Sequence, residues 1–125
     1  MLQEMVPRMI EIPTPGKAVR GSTSGAPIMA LFDLLGRRWA MGVLWILCEH
    51  GPLTFRALAD KCESISPTVL NVRLKELQAA SFVEKSAGGY VATSFGRRVY
   101  EQLVPLGATA KAWAKLLADG SGTRD

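Results

Sequence analysis

Four side chains between Thr68 and Lys75 could do chemistry together. Projected on a helix at about 100° per residue, Thr68, Val72 and Lys75 share one side and Asn71 flanks them, while Leu70, Leu74 and Leu77 cluster opposite. The outward set is a hydroxyl, a pair of methyls, an ammonium and an amide. Those are the types that read base edges in a DNA major groove: asparagine pairs with adenine, lysine with guanine, and an apolar group meets the thymine methyl. Ser66 and Pro67 precede them as an N-cap serine and a proline at the first helical position. The helix end they create offers free N–H groups and a partial positive charge, which suit a phosphate. A solvated helix face can carry the same residue types, so the face by itself leaves both uses open.

Basic residues stand where they could add backbone contacts. Arg56 follows Thr54, a cap residue, at the start of the preceding helix, which crosses the DNA backbone in helix-turn-helix motifs. Arg73 lies at the edge of the leucine stripe and has two uses open to it: a phosphate contact or an ion pair with an acid of a neighbouring helix. Lys85 falls beside a short hairpin, with Arg97 and Arg98 on the helix that follows. Contacts of this kind give affinity and register, not sequence choice.

The elements that must position these residues follow from periodicity and breakers. A first helix starts at Pro27, with Ile28, Leu31, Leu34 and Leu35 at helical spacing, and stops at Gly36. A second, about Arg38 to Glu49, is apolar on most sides and so is buried; Gly51-Pro52 ends it. A third runs from about Phe55 to Cys62 and a fourth from Pro67 to about Ala80. Two extended pieces, Phe82 to Lys85 and Tyr90 to Ala92, enclose Gly88-Gly89, a source of positive φ for a hairpin turn. Thr93 caps a fifth helix, about Ser94 to Val104. Pro105 begins a last helix or a kink, with Leu106, Ala110, Trp113 and Leu117 as its apolar stripe. The predicted fold class is mainly α with a small β-hairpin, a winged helix-turn-helix. The organisation expected is an irregular arm over 1–26, the domain over 27–119 and a polar tail over 120–125. Within the arm, Arg8, Lys17 and Arg20 are candidates for contact with phosphate or a partner subunit, against the alternative of a loose tail.

Composition narrows the function. A chain of 125 residues suits one domain, and a net charge of +4 leans toward an anionic partner. Cys48, Cys62 and His50 form no metal-ligand spacing, and no cofactor is implied. No nucleophile–base pair or phosphate-binding glycine loop stands out, so an enzyme is not expected. No apolar run reaches the roughly 20 residues of a membrane span, and the N-terminus lacks the order of a signal peptide. A reduced, cytoplasmic setting is the expectation.

Several motifs then occur in sequence: Leu31-Phe-Asp-Leu-Leu-Gly-Arg-Arg-Trp39, Leu44 to Leu47, Gly51-Pro-Leu-Thr-Phe-Arg56 with Leu58, Ile65-Ser-Pro-Thr-Val-Leu-Asn-Val-Arg-Leu-Lys-Glu-Leu77, and Thr93-x-x-Gly96 with a later Trp113. From about Ala26 to Ala118 the chain resembles the HxlR-type winged-helix regulators. The resemblance implies a dimeric transcription factor of the broader MarR-like group, with first and last helices forming the dimer and the recognition helix entering the major groove. Carried over by position, Ser66, Pro67, Thr68, Asn71, Val72 and Arg73 lie where that family meets DNA. Two departures stand out. Some members sense oxidants through a cysteine in a Cys-Pro-Ile-like start, which here reads Ala26-Pro27-Ile28, so that route lacks its residue. Only Ser-Ala-Gly-Gly separates Lys85 from Tyr90, a shorter wing than the family usually carries.

A sequence-specific regulator binding a palindromic operator as a homodimer is therefore expected, with double-stranded DNA and a second copy as partners. Ile28, Leu31, Leu106, Ala110, Trp113 and Leu117 are the expected dimer contacts. An unidentified small-molecule effector is a further possible partner, with Trp39, Trp45 and Trp113 as candidate pocket walls or as core. The alternative function is a winged helix used for protein–protein contact without direct DNA readout.

Overall fold

The computed structural model describes residues 10–120. Its elements run α1 (Pro27–Leu35), α2 (Ala40–His50), α3 (Phe55–Cys62), α4 (Pro67–Ala79), β1 (Val83–Ser86), β2 (Gly89–Ala92), α5 (Ser94–Leu103) and α6 (Leu106–Gly120). The mainly helical architecture with one antiparallel hairpin is that of a winged helix-turn-helix.

Local chemistry sets most of the boundaries. The side-chain oxygens of Thr54, Ser66 and Thr93 accept hydrogen bonds from the backbone N–H groups of Ala57, Val69 and Gly96, each satisfying a donor that a helix start leaves without a partner. α2 differs from the sequence expectation: it begins at Ala40, not Arg38, because Trp39 sits in the left-handed region at φ 76° and serves as its N-cap. A bulky aromatic rarely adopts that conformation. Here its ring packs against the core and carries the Arg38 guanidinium 5.8 Å above it.

Val43, Leu44 and Leu47 of α2 stand at the centre of the core, among Leu58, Cys62, Ile65, Leu70, Leu74, Leu77, Val83 and Ala92. α2 accordingly packs against α3, α4, α5 and β2. Burial of this set, at about 1.5–3 kcal/mol for each large aliphatic side chain, is what holds α4 with its leucines inward.

The hairpin pairs Val83 with Ala92 and Ser86 with Gly89, leaving Ala87-Gly88 as a two-residue turn. Both strands thus run closer to the turn than the sequence suggested. Of the two glycines, Gly89 carries the positive φ, 122°. It also lies so close to the Leu53 carbonyl that a Cβ there would collide with it. The reason is a bridge the sequence did not reveal: Leu53 and Tyr90 exchange backbone hydrogen bonds of 3.0 and 2.8 Å, fastening the wing to the segment that leads into α3.

At the base of the hairpin, the Phe82 carbonyl accepts the Thr93 N–H at 3.0 Å, and the Thr93 hydroxyl donates to the Ser81 carbonyl at 2.6 Å. A Cβ on Gly96 would strike that same Phe82 carbonyl and press on Leu44. Gly96→Ala is therefore expected to destabilise the fold by about 1–3 kcal/mol, the usual cost of overpacking. Urea unfolding followed by circular dichroism checks this, and an unshifted midpoint would refute the close approach.

The N-terminal segment is irregular, as expected, but within residues 10–26 it is not loose. Gly16 donates to the Gly25 carbonyl, Val19 and Ser22 bridge, and the Arg20 N–H reaches the Asp33 carboxylate on α1 at 3.1 Å. Arg8 and residues 121–125 of the tail lie outside the described residues; Gly120 closes α6. No helix among the described residues is long and apolar enough to cross a membrane.

Candidate nucleic-acid interface

α4 carries the candidate readout face. Thr68, Asn71, Val72 and Lys75 are all exposed, while Leu70, Leu74 and Leu77 on the opposite side are fully buried. The first turn of α4 holds no acidic residue, so its positive end is not neutralised from within the helix. Ser66 and Pro67 are exposed at that end. The Ser66 oxygen accepts from Val69, which leaves the hydroxyl proton free to donate outward.

The start of α3 repeats the arrangement. Thr54 is exposed and accepts from Ala57 at 3.1 Å, Arg56 is exposed two residues on, and the first turn again lacks an acid. The Leu53–Tyr90 bridge brings the wing to this point. Tyr90 is paired across the hairpin with Lys85, whose ammonium lies 5.2 Å over the Tyr90 ring. Thr54 and Lys85 are thus fastened to the same corner.

Arg73 takes neither of the roles left open by the sequence: the acid it pairs with is not on a neighbouring helix but on α4 itself. Its Nε donates to the Arg38 carbonyl at 2.6 Å and its Nη1 pairs with Glu76 at 3.1 Å. That correction removes it from the outward set: its Nε and Nη1 are both engaged within the protein. Arg98 also points elsewhere, lying 4.8 Å over the Phe95 ring and lining a groove beside α1.

Sequence reasoning missed Glu76, the one charged residue buried among the described residues, at 7% exposed. It accepts from Arg37 at 2.8 Å and from Arg73. The spacing of Arg73 and Glu76 at i,i+3 was a signal; the contribution of Arg37, 39 residues away, was not visible.

The terminal helices present an apolar surface. No residue of α6 is buried, and Trp113 (61%) and Leu116 (64%) are largely exposed, together with Leu106, Ala110 and Leu117. On α1, Ile28 and Phe32 are exposed and Leu31 is half-buried. Between α1 and α5 runs an apolar groove of about 550 Å³, bounded by Leu31, Phe32, Met41, Phe95, Leu103 and Leu106. None of the three tryptophans considered as pocket walls lines it: Trp39 packs on the core, Trp45 meets Tyr100 edge-on at 5.0 Å, and Trp113 stands on α6. Burial pushes both thiols, Cys48 and Cys62, above their ordinary pKa; at Cys48 nearby Arg97 opposes the shift and Glu101 adds to it.

Comparison with known proteins agrees with this geometry. The profile of the HxlR-like helix-turn-helix family matches residues 34–117. Over 65 residues the chain is 34% identical to the HTH-type transcriptional regulator YodB of Bacillus subtilis, a match covering 52% of this chain and 57% of that one. Over 59 residues it is 30% identical to an uncharacterized HTH-type transcriptional regulator of Halalkalibacterium halodurans, covering 47% and 52%. The matches thus span about half the length of these curated relatives. Among solved structures, a possible HxlR family transcriptional factor from Thermoplasma volcanium superposes with a TM-score of 0.62 at 26% identity, over 68% of this chain and 82% of that one. Quinone-bound YodB superposes with a TM-score of 0.58 at 31% identity, over 70% and 94%.

Proposed function

The chain belongs to the HxlR-like helix-turn-helix family of transcriptional regulators, and from that premise we propose that it binds a palindromic DNA operator as a homodimer in the cytoplasm. The observation that carries the reading is the exposed stripe of Thr68, Asn71, Val72 and Lys75 on a helix pinned by fully buried leucines. In this reading α4 enters the major groove. Asn71, Lys75 and Val72 meet base edges, and Thr68, Ser66 and the N–H groups behind Pro67 meet phosphate. Arg56, the Thr54 hydroxyl and Lys85 on the short wing, gathered at one corner, hold the phosphate backbone.

The homodimer rests on α6. A helix of 15 residues with no buried side chain is marginal alone in water, and its apolar stripe continues the exposed face of α1. Pairing of α1 and α6 across a two-fold axis covers both, and a palindromic operator then has half-sites about one DNA turn, roughly 34 Å, apart or a multiple of it. Quinone-bound YodB supports adding an unidentified small-molecule effector. Neither thiol of this chain is a ready nucleophile for it, since the raised pKa values keep both protonated near neutral pH.

Asn71→Ala and Lys75→Ala are each expected to cost about 1–3 kcal/mol, roughly 5- to 150-fold, at a specific site, with little change on unrelated DNA. Arg56→Ala is expected to weaken all sequences alike. Fluorescence anisotropy on duplexes enriched by the parent protein from a random pool measures both. Folded variants that bind every duplex as the parent does would sink the assignment of this face.

A further inference from the structure

Glu76 lies about 40° round α4 from Val72, so the buried carboxylate borders the outer face of the helix directly. Each of its oxygens is held by a different arginine, Oε2 by Arg37 at 2.8 Å and Oε1 by Arg73 at 3.1 Å. Arg73 then donates its Nε to the Arg38 carbonyl at 2.6 Å. The corner between α1 and α2 is thereby joined to α4 twice, once through the Arg37 side chain and once through the Arg38 backbone. The next residue, Trp39, holds that corner in a left-handed turn at φ 76°.

We infer that Glu76 is a positioning residue for sequence recognition, its clamp with Arg37 and Arg73 fixing the rotation of α4 about its own axis. This rests on the DNA-binding reading above. The leucines hold α4 by contacts without direction, which tolerate small rotations. Charge-assisted hydrogen bonds are directional and short. Base-edge contacts by Asn71 and Lys75 need that rotation fixed, whereas phosphate contacts position the protein without reading sequence. The clamp acts on specificity first. The carboxylate also offsets part of the charge of the two guanidinium groups; without it that positive charge is uncompensated, while Arg73 keeps its bond to the Arg38 carbonyl.

The test uses the full chain and two duplexes of equal length: one enriched by the parent protein from a random pool, and a scrambled version of it. Glu76→Gln keeps the side-chain shape and removes the charge. It is expected to lower affinity for the enriched duplex at least tenfold while affinity for the scrambled duplex stays level or rises. A merely weakened fold lowers both together, so equal losses on the two duplexes overturn the inference, as does an unchanged ratio. Arg37→Met is expected to lower the ratio too, and the double variant to lower it no further than the worse single change, because the pair acts as a unit. Should Glu76→Gln fail to fold, Arg73→Lys reads the same ratio. It keeps the charge but lacks the planar fork that reaches Glu76 and the Arg38 carbonyl together. If the parent protein enriches no duplex, the DNA-binding reading itself falls, an outcome distinct from loss of the clamp alone.

Discussion

Trp113→Glu combined with Leu117→Glu is expected to yield a folded monomer that binds an operator duplex about a thousandfold more weakly than the parent. The fold should survive because α6 contributes nothing to the core centred on Val43, Leu44 and Leu47. The monomer should form because each glutamate must otherwise be buried unpaired in the dimer seam, which costs several kcal/mol. A single winged helix then faces one half-site, and specific binding exceeds non-specific binding by only about 4–10 kcal/mol for complete sites. Losing half of the contacts removes about 4 kcal/mol, which is the thousandfold. Freed from its partner, α6 should also fray, seen as a loss of ellipticity corresponding to roughly one short helix. The substitutions lower the net charge from +4 to +2, which weakens DNA binding by itself. Trp113→Gln with Leu117→Gln separates the two effects: it removes the apolar contacts at constant charge and is expected to give a monomer as well. Sedimentation equilibrium reads the oligomeric state. A dimer that persists in both variants places the interface elsewhere, and a monomer with undiminished affinity removes the need for a second copy.

What was legible in the sequence was whatever short-range chemistry decides. Thr54, Ser66-Pro67 and Thr93 announce helix starts because a side-chain oxygen reaches a backbone donor three residues on. The leucines of α4 declare which side faces inward because 3.6 residues make a turn. Every misplacement came from partners far apart in the chain. Nothing local marks Trp39 for a left-handed turn; the corner it forms is fixed by Arg37 reaching Glu76 and by the Arg38 carbonyl accepting from Arg73. Gly89 looks like half of a glycine turn, yet its positive φ serves the Leu53–Tyr90 bridge. Arg73 fits either of its roles until Glu76 and Arg38 are seen beside it. The outer face of α4 was legible because exposure there is the complement of burial. The clamp that orients that face was legible only in its i,i+3 half, because Arg37 and the Arg38 carbonyl come from more than 30 residues away.

Raising monovalent salt from about 50 to 200 mM is expected to weaken duplex binding by about a hundredfold. The cations assigned to phosphate in this reading are Arg56 on α3 and Lys85 on the wing, both exposed; Lys75 is assigned to a base edge and is left out of the count. Arg37 and Arg73 share the single charge of Glu76 and are turned toward it, so neither is counted among the phosphate contacts. A dimer therefore presents about four such cations, and a log–log slope near −0.9 per neutralised phosphate gives a slope of about −3.6. Over a fourfold change in salt, that slope produces the expected loss. Arg56→Ala removes one contact from each protomer, so the slope should become shallower by about 2. The same titration separates the two uses of a winged helix. Contact with a protein through apolar and hydrogen-bonded surface releases few counterions, and its affinity should move by less than tenfold over this range. A slope shallower than about −2, with Arg56→Ala leaving it unaltered, would transfer the outer face of α4 from nucleic acid to a protein partner. The polar stripe would then serve as a solvated rim and not as a reader of bases.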